Sequence, residues 1–288
     1  MGVSGSKDKL KTKDSCPIIN KDEIDELYRY ESSICKIVYE ITEKGKKEKK
    51  SGTGFFCEIN DNNIPFKKGL FTNNHILNKN RIEINKEIEF EYLNEMKKIK
   101  ITENRKVFTD KTLDYTCIEI FDTDKIFNKD NIIFRIDTEI LENKNKIKNK
   151  EIFIFQYPNG DKLSHALGRI LDIEDNEIKH SVPTLLGSSG SPLIKRYNIN
   201  LVIGIHYGGD NEKYLKNNES IYNYATSFDI IIKDIKNKLP TNKINIINNN
   251  NNIEYRNIIN IIYYKQNNKN FIVIIYLVIN LLKIIRII

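Results

Sequence analysis

From Ser33 to Phe228 the chain repeats one pattern: short apolar or alternating segments cut by Asn, Asp, Lys and Gly. SICKIVYEIT (33–42), SGTGFFCEIN (51–60), RIEINKEIEFEYL (81–93), LDYTCIEIF (113–121), EIFIFQYP (151–158), LGRILDI (167–173) and LVIGIHYGG (201–209) read as strands. So many short strands can bury their apolar faces only by packing sheet on sheet or by closing into barrels. The Asn-, Lys- and Asp-rich stretch 122–150 splits the set in two, as a connection between two β units would. FDIIIKDIKNKL (228–239) has helical spacing and stops before Pro240, which predicts one terminal helix.

The net charge of +7 sits at the ends of the chain. Residues 1–14 carry +2, residues 240–288 carry +5, and the body between them is neutral. A neutral body argues against a nucleic-acid groove, which needs Lys and Arg gathered on one face. Cys16, Cys35, Cys57 and Cys117 form no CxxC pair, so neither a zinc site nor a disulfide framework is expected. Cys57 and Cys117 lie in apolar strands and read as core residues. With no apolar leader at the N-terminus, the expectation is an intracellular, cytoplasmic protein. MGVSGSKDKLKTK fits N-myristoylation at Gly2, with Ser6 at the preferred hydroxyl position. Lys7, Lys9, Lys11 and Lys13 would supply the second, electrostatic signal that a single acyl chain needs for membrane association. A plain basic arm is the competing reading. Beyond Pro240 comes an Asn-rich linker with the run Asn248–Asn252, then the apolar tail FIVIIYLVINLLKIIRII (271–288). Asn280, Lys283 and Arg286 interrupt that tail, leaving it short of the ~20 apolar residues of a spanning helix. It reads either as a membrane-surface anchor or as a packed or aggregation-prone segment.

Three boxes carry chemistry. LFTNNHIL (70–77) puts His75 at the end of a strand, TLDYTCIEI (112–120) puts Asp114 at the start of another, and LLGSSGSPLI (185–194) sets Ser189 between Ser188 and Gly190. Each alone has a bland reading: a strand-end histidine, a turn cap and a loop serine. Together and in this order they look like the chymotrypsin-fold (trypsin-like) serine peptidases, over roughly residues 33–236. The lack of a cysteine after His75 and the free cysteines make the disulfide-free branches, such as the glutamyl endopeptidases, the nearer resemblance.

What the resemblance implies is an all-β fold of two six-stranded antiparallel β-barrels with a C-terminal helix. The N-terminal arm would span 1–30, the first barrel 31–122, the connection 123–150, the second barrel and helix 151–239, the linker 240–270 and the tail 271–288. Ser189 would be the nucleophile, His75 the general base and acid, and Asp114 the residue that orients the imidazole. The N–H groups of Gly187 and Ser189 would form the oxyanion hole, Gly187 and Gly190 letting the backbone turn. Thr184 and His206 would line a primary pocket suited to Glu or Gln, and the backbone from Gly204 to Tyr207 would pair with an extended peptide substrate. No metal and no cofactor are expected, and the partners would be protein or peptide substrates and, through Gly2 or the tail, a membrane surface. The rival from another class is a catalytically silent, membrane-tethered module of the same fold that binds peptide strands. The intact His75, Asp114 and Ser189 set speaks against it.

Overall fold

A computed structural model describes residues 19–43, 45–128, 131–137, 144–209, 222–239, 264–266 and 269–271. Gly2, the basic arm to residue 18, most of the linker and nearly all of the apolar tail lie outside these. The chain divides into two units, Met1–Leu239 and Pro240–Ile288. The second contributes a small antiparallel pair, Tyr264–Gln266 with Lys269–Phe271.

The first unit opens with helix α1 (Lys21–Tyr30), inside the stretch expected to be an arm. Its cause is local: the Asn20 side chain accepts from Glu23 N while Glu23 accepts from Asn20 N, a reciprocal cap that satisfies two orphan donors. Leu27 and Tyr30 then bury the inner face. Seven strands follow: β1 (Ile34–Glu43), β2 (Lys46–Glu58), β3 (Lys68–Thr72), β4 (Glu87–Tyr92), β5 (Glu95–Lys100), β6 (Val107–Asp110) and β7 (Tyr115–Glu119). They pair in the order β5-β4-β1-β2-β3-β7-β6. β2 shows why the sheet curls over a core on both sides: its Lys-rich start is exposed, while Gly52 to Cys57 are all buried. Phe56 faces Leu70, Phe90, Tyr92 and Ile118 on one side. Phe55 and Cys57 join a second cluster shared with the rest of the chain.

β8 (Phe134–Ile136) lies within the expected connection and lies parallel between β2 and β13 (Asn198–Gly209). The short helix α2 (Lys144–Ile147) follows, and the later strands are β9 (Glu151–Gln156), β10 (Ser164–Glu174), β11 (Glu177–His180), β12 (Pro192–Lys195), β13 and β14 (Asn223–Ser227). These six close on themselves in the order β12-β9-β10-β11-β14-β13, with β13 pairing back to β12. Ile152 and Ile154 of β9 point into the barrel with Ile170, Ile178, Leu193 and Ile203. Phe153 and Phe155 point the other way, into the shared cluster with Phe55, Phe134 and Phe228. That alternation makes β9 an almost continuous apolar run.

One closed barrel is therefore seen where two were expected. Among the described residues no ladder joins β5 to β6. A side chain occupies the seam instead: Arg105, 7% exposed, donates to Lys100 O and Glu119 O and grips Asp124 through both guanidinium nitrogens. Helix α3 (Phe228–Lys238) ends the unit, its Phe228, Ile231, Ile232 and Ile235 packed into the shared cluster.

Candidate active site

The β6–β7 turn is built by Asp110, whose carboxylate accepts from Thr112 N and Leu113 N. The turn delivers Asp114 with a left-handed φ of 48°, a conformation Asp tolerates better than most residues. Its neighbours are pinned from the second half of the chain. Thr226 Oγ1 donates to Leu113 O at 2.8 Å, and Tyr115 Oη donates to Asp234 of α3 at 2.5 Å. Asn73 Nδ2 donates to the Asp114 carbonyl.

His75 follows β3 on a single turn closed by Leu77 N to Asn73 O. The Asp114 carboxylate takes the His75 backbone N–H on one oxygen at 2.9 Å and Nδ1 on the other at 2.7 Å. Carrying its proton on Nδ1, the imidazole leaves Nε2 as a base. The ring is 45% exposed, so that nitrogen is reachable.

The serine loop is fastened to the first half through Thr53. Thr53 N donates to Ser189 O at 2.8 Å and Thr53 Oγ1 to Gly187 O at 3.0 Å. Gly187 and Gly190 both have φ near +88° (88° and 87°). A Cβ on Gly190 would lie 1.9 Å from Thr53 O and 2.5 Å from Thr72 Oγ1, which measures how closely the loop meets the end of the strand that carries His75. Ser188 N and Gly190 N bond to Leu185 O and His206 O. Among the described residues the N–H groups of Gly187 and Ser189 donate to no protein acceptor, and the Leu186 carbonyl is turned away onto Asn159 N. Two free donors thus flank a half-buried serine. Its Oγ makes a long 3.4 Å hydrogen bond to Tyr207 O and none to His75.

Among the described residues no hydrogen bond joins the two expected pocket residues. Thr184 Oγ1 lies 2.9 Å from Oδ1 of Asn223, a residue without a motif around it, and Asn223 Nδ2 donates to Val182 O at 2.7 Å. His206, 2% exposed, stacks edge-on to buried His180 at 5.4 Å. Burial pushes the His206 imidazole down to about 4, against a hydrogen bond to the Tyr224 backbone that favours the charged form, with the nearby His75 pushing the same way as burial. His206 is therefore neutral at pH 7. Burial, then the neighbouring His206, also holds His180 well below the usual histidine range.

Gly204 does not offer an edge to a peptide, because it is paired on both sides, to Leu193 and to Ser227. His206 is likewise engaged by Ala225 and by the backbone of Gly190 and Ser191. The ladder to β14 is interrupted at Tyr207, where the register shifts between His206 and Gly208. Cys35, Cys57 and Cys117 are buried free thiols held protonated by burial.

Residues 52–205, more than half of the chain, match the trypsin-like peptidase domain. The chain belongs to that family. Glutamyl endopeptidase of Staphylococcus epidermidis is 34% identical over 96 residues, which are 32% of this chain. The chain spans about a third of the length of that relative (30%). Among solved structures, the HtrA-type protease AlgW with a tripeptide superposes with a TM-score of 0.49 at 13% identity, covering 73% of this chain and 61% of that one. AlgW with a decapeptide gives 0.49 at 12% identity, over 74% and 66%.

Proposed function

We propose that this trypsin-like peptidase domain is a serine endopeptidase using Ser189, His75 and Asp114. The observation that carries the reading is the two-point grip of Asp114 on His75, which leaves Nε2 outside that grip, while Gly187 N–H and Ser189 N–H meet no protein acceptor among the described residues. Ser189 Oγ turns from Tyr207 O toward His75 Nε2, gives up its proton there, and attacks the scissile carbonyl. The carbonyl oxygen becomes an oxyanion held by Gly187 N–H and Ser189 N–H, a contribution of about 2.7–4 kcal/mol per donor. The imidazolium, stabilised by Asp114, protonates the leaving amine, and water then hydrolyses the acyl-enzyme by the reverse proton path. The substrate chain lies along β13 from Tyr207 to Gly209, and the primary pocket near Thr184 and His206 receives Glu or Gln. The Staphylococcus epidermidis relative is a glutamyl endopeptidase, which supports the Glu half of that choice. The curled first half serves as the counterpart barrel, with Arg105 in place of the closing ladder.

A fluorophosphonate probe tests the reading. Folded protein should be labelled at Ser189, and Ser189→Ala should lose labelling and peptide turnover while unfolding at the same urea concentration. One observation favours the silent peptide-binding module: the Ser189 hydroxyl rests on Tyr207 O. That module would bind peptides and resist the probe.

Membrane association belongs to the same proposal and rests on Gly2 and its lysines. Among the described residues no helix is long and apolar enough to cross a membrane. Gly2→Ala should move the protein from the membrane to the soluble fraction; release only on deleting 271–288 would assign the anchor to the tail.

A further inference from the structure

Asn223 is 3% exposed, and its amide has one workable orientation. Nδ2 must face Val182 O, since turning Oδ1 there would bring two acceptors together. Oδ1 therefore faces Thr184, and a threonine hydroxyl has a single proton. That proton goes to Asn223. Thr184 keeps only lone pairs for anything else that approaches.

His206 offers no compensating donor. A neutral imidazole has one N–H, and the ring's hydrogen bond to the Tyr224 backbone uses it inside the fold. Nδ1 of His206 is buried and meets no donor among the described residues. Thr184 is thus an acceptor toward anything that approaches it, and His206 adds no donor beside it.

We infer that Asn223 is a positioning residue that turns the primary pocket into an acceptor site, selecting a side-chain amide, glutamine, over a glutamate carboxylate. The inference rests on the peptidase reading and on the pocket at Thr184 and His206. A glutamine NH2 brings a donor to the Thr184 oxygen. A carboxylate would leave water and find lone pairs, an unpaired burial that is strongly disfavoured.

The test uses the full chain and two fluorogenic peptides that differ only in Gln or Glu before the scissile bond, at pH 7. The Gln peptide should have at least about tenfold higher kcat/KM. Asn223→Ala frees the Thr184 proton and should bring the two peptides within about threefold of each other. A purely structural role for Asn223 would lower both rates together and leave their ratio alone, and that result overturns the inference. So does equal or better cleavage of the Glu peptide by the unaltered protein. Fluorophosphonate labelling reports whether each variant is folded. If Asn223→Ala is not, Thr184→Val carries the test, since removing the hydroxyl should also erase the preference. Labelling with Glu preferred refutes this inference alone, while absence of labelling refutes the peptidase reading and this inference with it.

Discussion

Two buried histidines in contact make the protein acid-labile in a window above the range where its ion-paired carboxylates titrate. His206 has its imidazole down at about 4 in the folded state, against about 6.5 unfolded. Between these values the unfolded chain holds a proton that the folded one refuses, so stability rises with pH there and is lost as pH falls from about 6.5 toward 4. Going from pH 7 to pH 4.5, His206 alone removes about 2.5 kcal/mol, at 1.36 kcal/mol per unit. His180 is shifted the same way by burial and adds to the loss, as does His165, lowered by burial against Phe155. Glu31, raised by burial, acts in the opposite direction. The carboxylates of Glu23, Asp61 and Asp110 are held below their usual range by Arg196, Lys236 and the turn N–H groups with Lys238, so their loss begins only at lower pH. The assay is urea unfolding of Ser189→Ala protein, which lacks the proposed nucleophile, at half-unit steps from pH 7.5 to 4.5. The unfolding free energy should drop by at least about 2.5 kcal/mol, and His206→Gln should flatten the slope by a comparable amount. A profile flat to within about 1 kcal/mol would refute the argument.

Other outcomes follow from single residues. Arg196, 9% exposed in its side chain, holds Glu23 of α1 and Glu151 of β9 together. Arg196→Ala strips Glu23 of its guanidinium and leaves Glu151 only Arg169 and Tyr197, and it should cost about 1.5–3 kcal/mol in urea unfolding. Gly190→Ala combines a left-handed φ with a Cβ inside Thr53 O; it should abolish fluorophosphonate labelling and cost upward of about 1–2 kcal/mol. Asp114→Asn keeps the turn but reverses the His75 tautomer, so kcat should fall about 10⁴-fold with urea unfolding nearly unchanged.

Much of the site was legible because each of its parts is local. TNNHIL, TLDYT and GSSGSP each state a turn and the residue it presents, and no long-range knowledge was needed to place them in order. The terminal helix was legible for the same reason. Asn223 was not, because its meaning comes from partners 39 and 41 residues away across a ladder. Gly204 was misassigned since nothing local says that both of its edges are filled. The seam between β5 and β6 escaped too: an Arg in a polar turn looks like any surface Arg until its five-donor fork is seen holding carbonyls of two strands. Helix α1 had a readable start in Asn20 and Glu23, hidden within a stretch taken as an arm.

The bonds that hold Asp114 and Ser189 in place also set a timetable. Thr53 and Gly187 are 134 residues apart, Leu113 and Thr226 113, and Tyr115 and Asp234 119. A ribosome adding about 5–20 residues per second makes Tyr115 some 6–24 s before it makes Asp234. Through that interval the nascent chain holds His75 and Asp114 without the strand and helix that steady Asp114, and then a Ser189 loop whose seat on the barrel is unfinished. On the proposed function, the long sequence separation of these contacts delays assembly of the site until synthesis of the domain is nearly done, sparing the growing chain and its neighbours on the polysome.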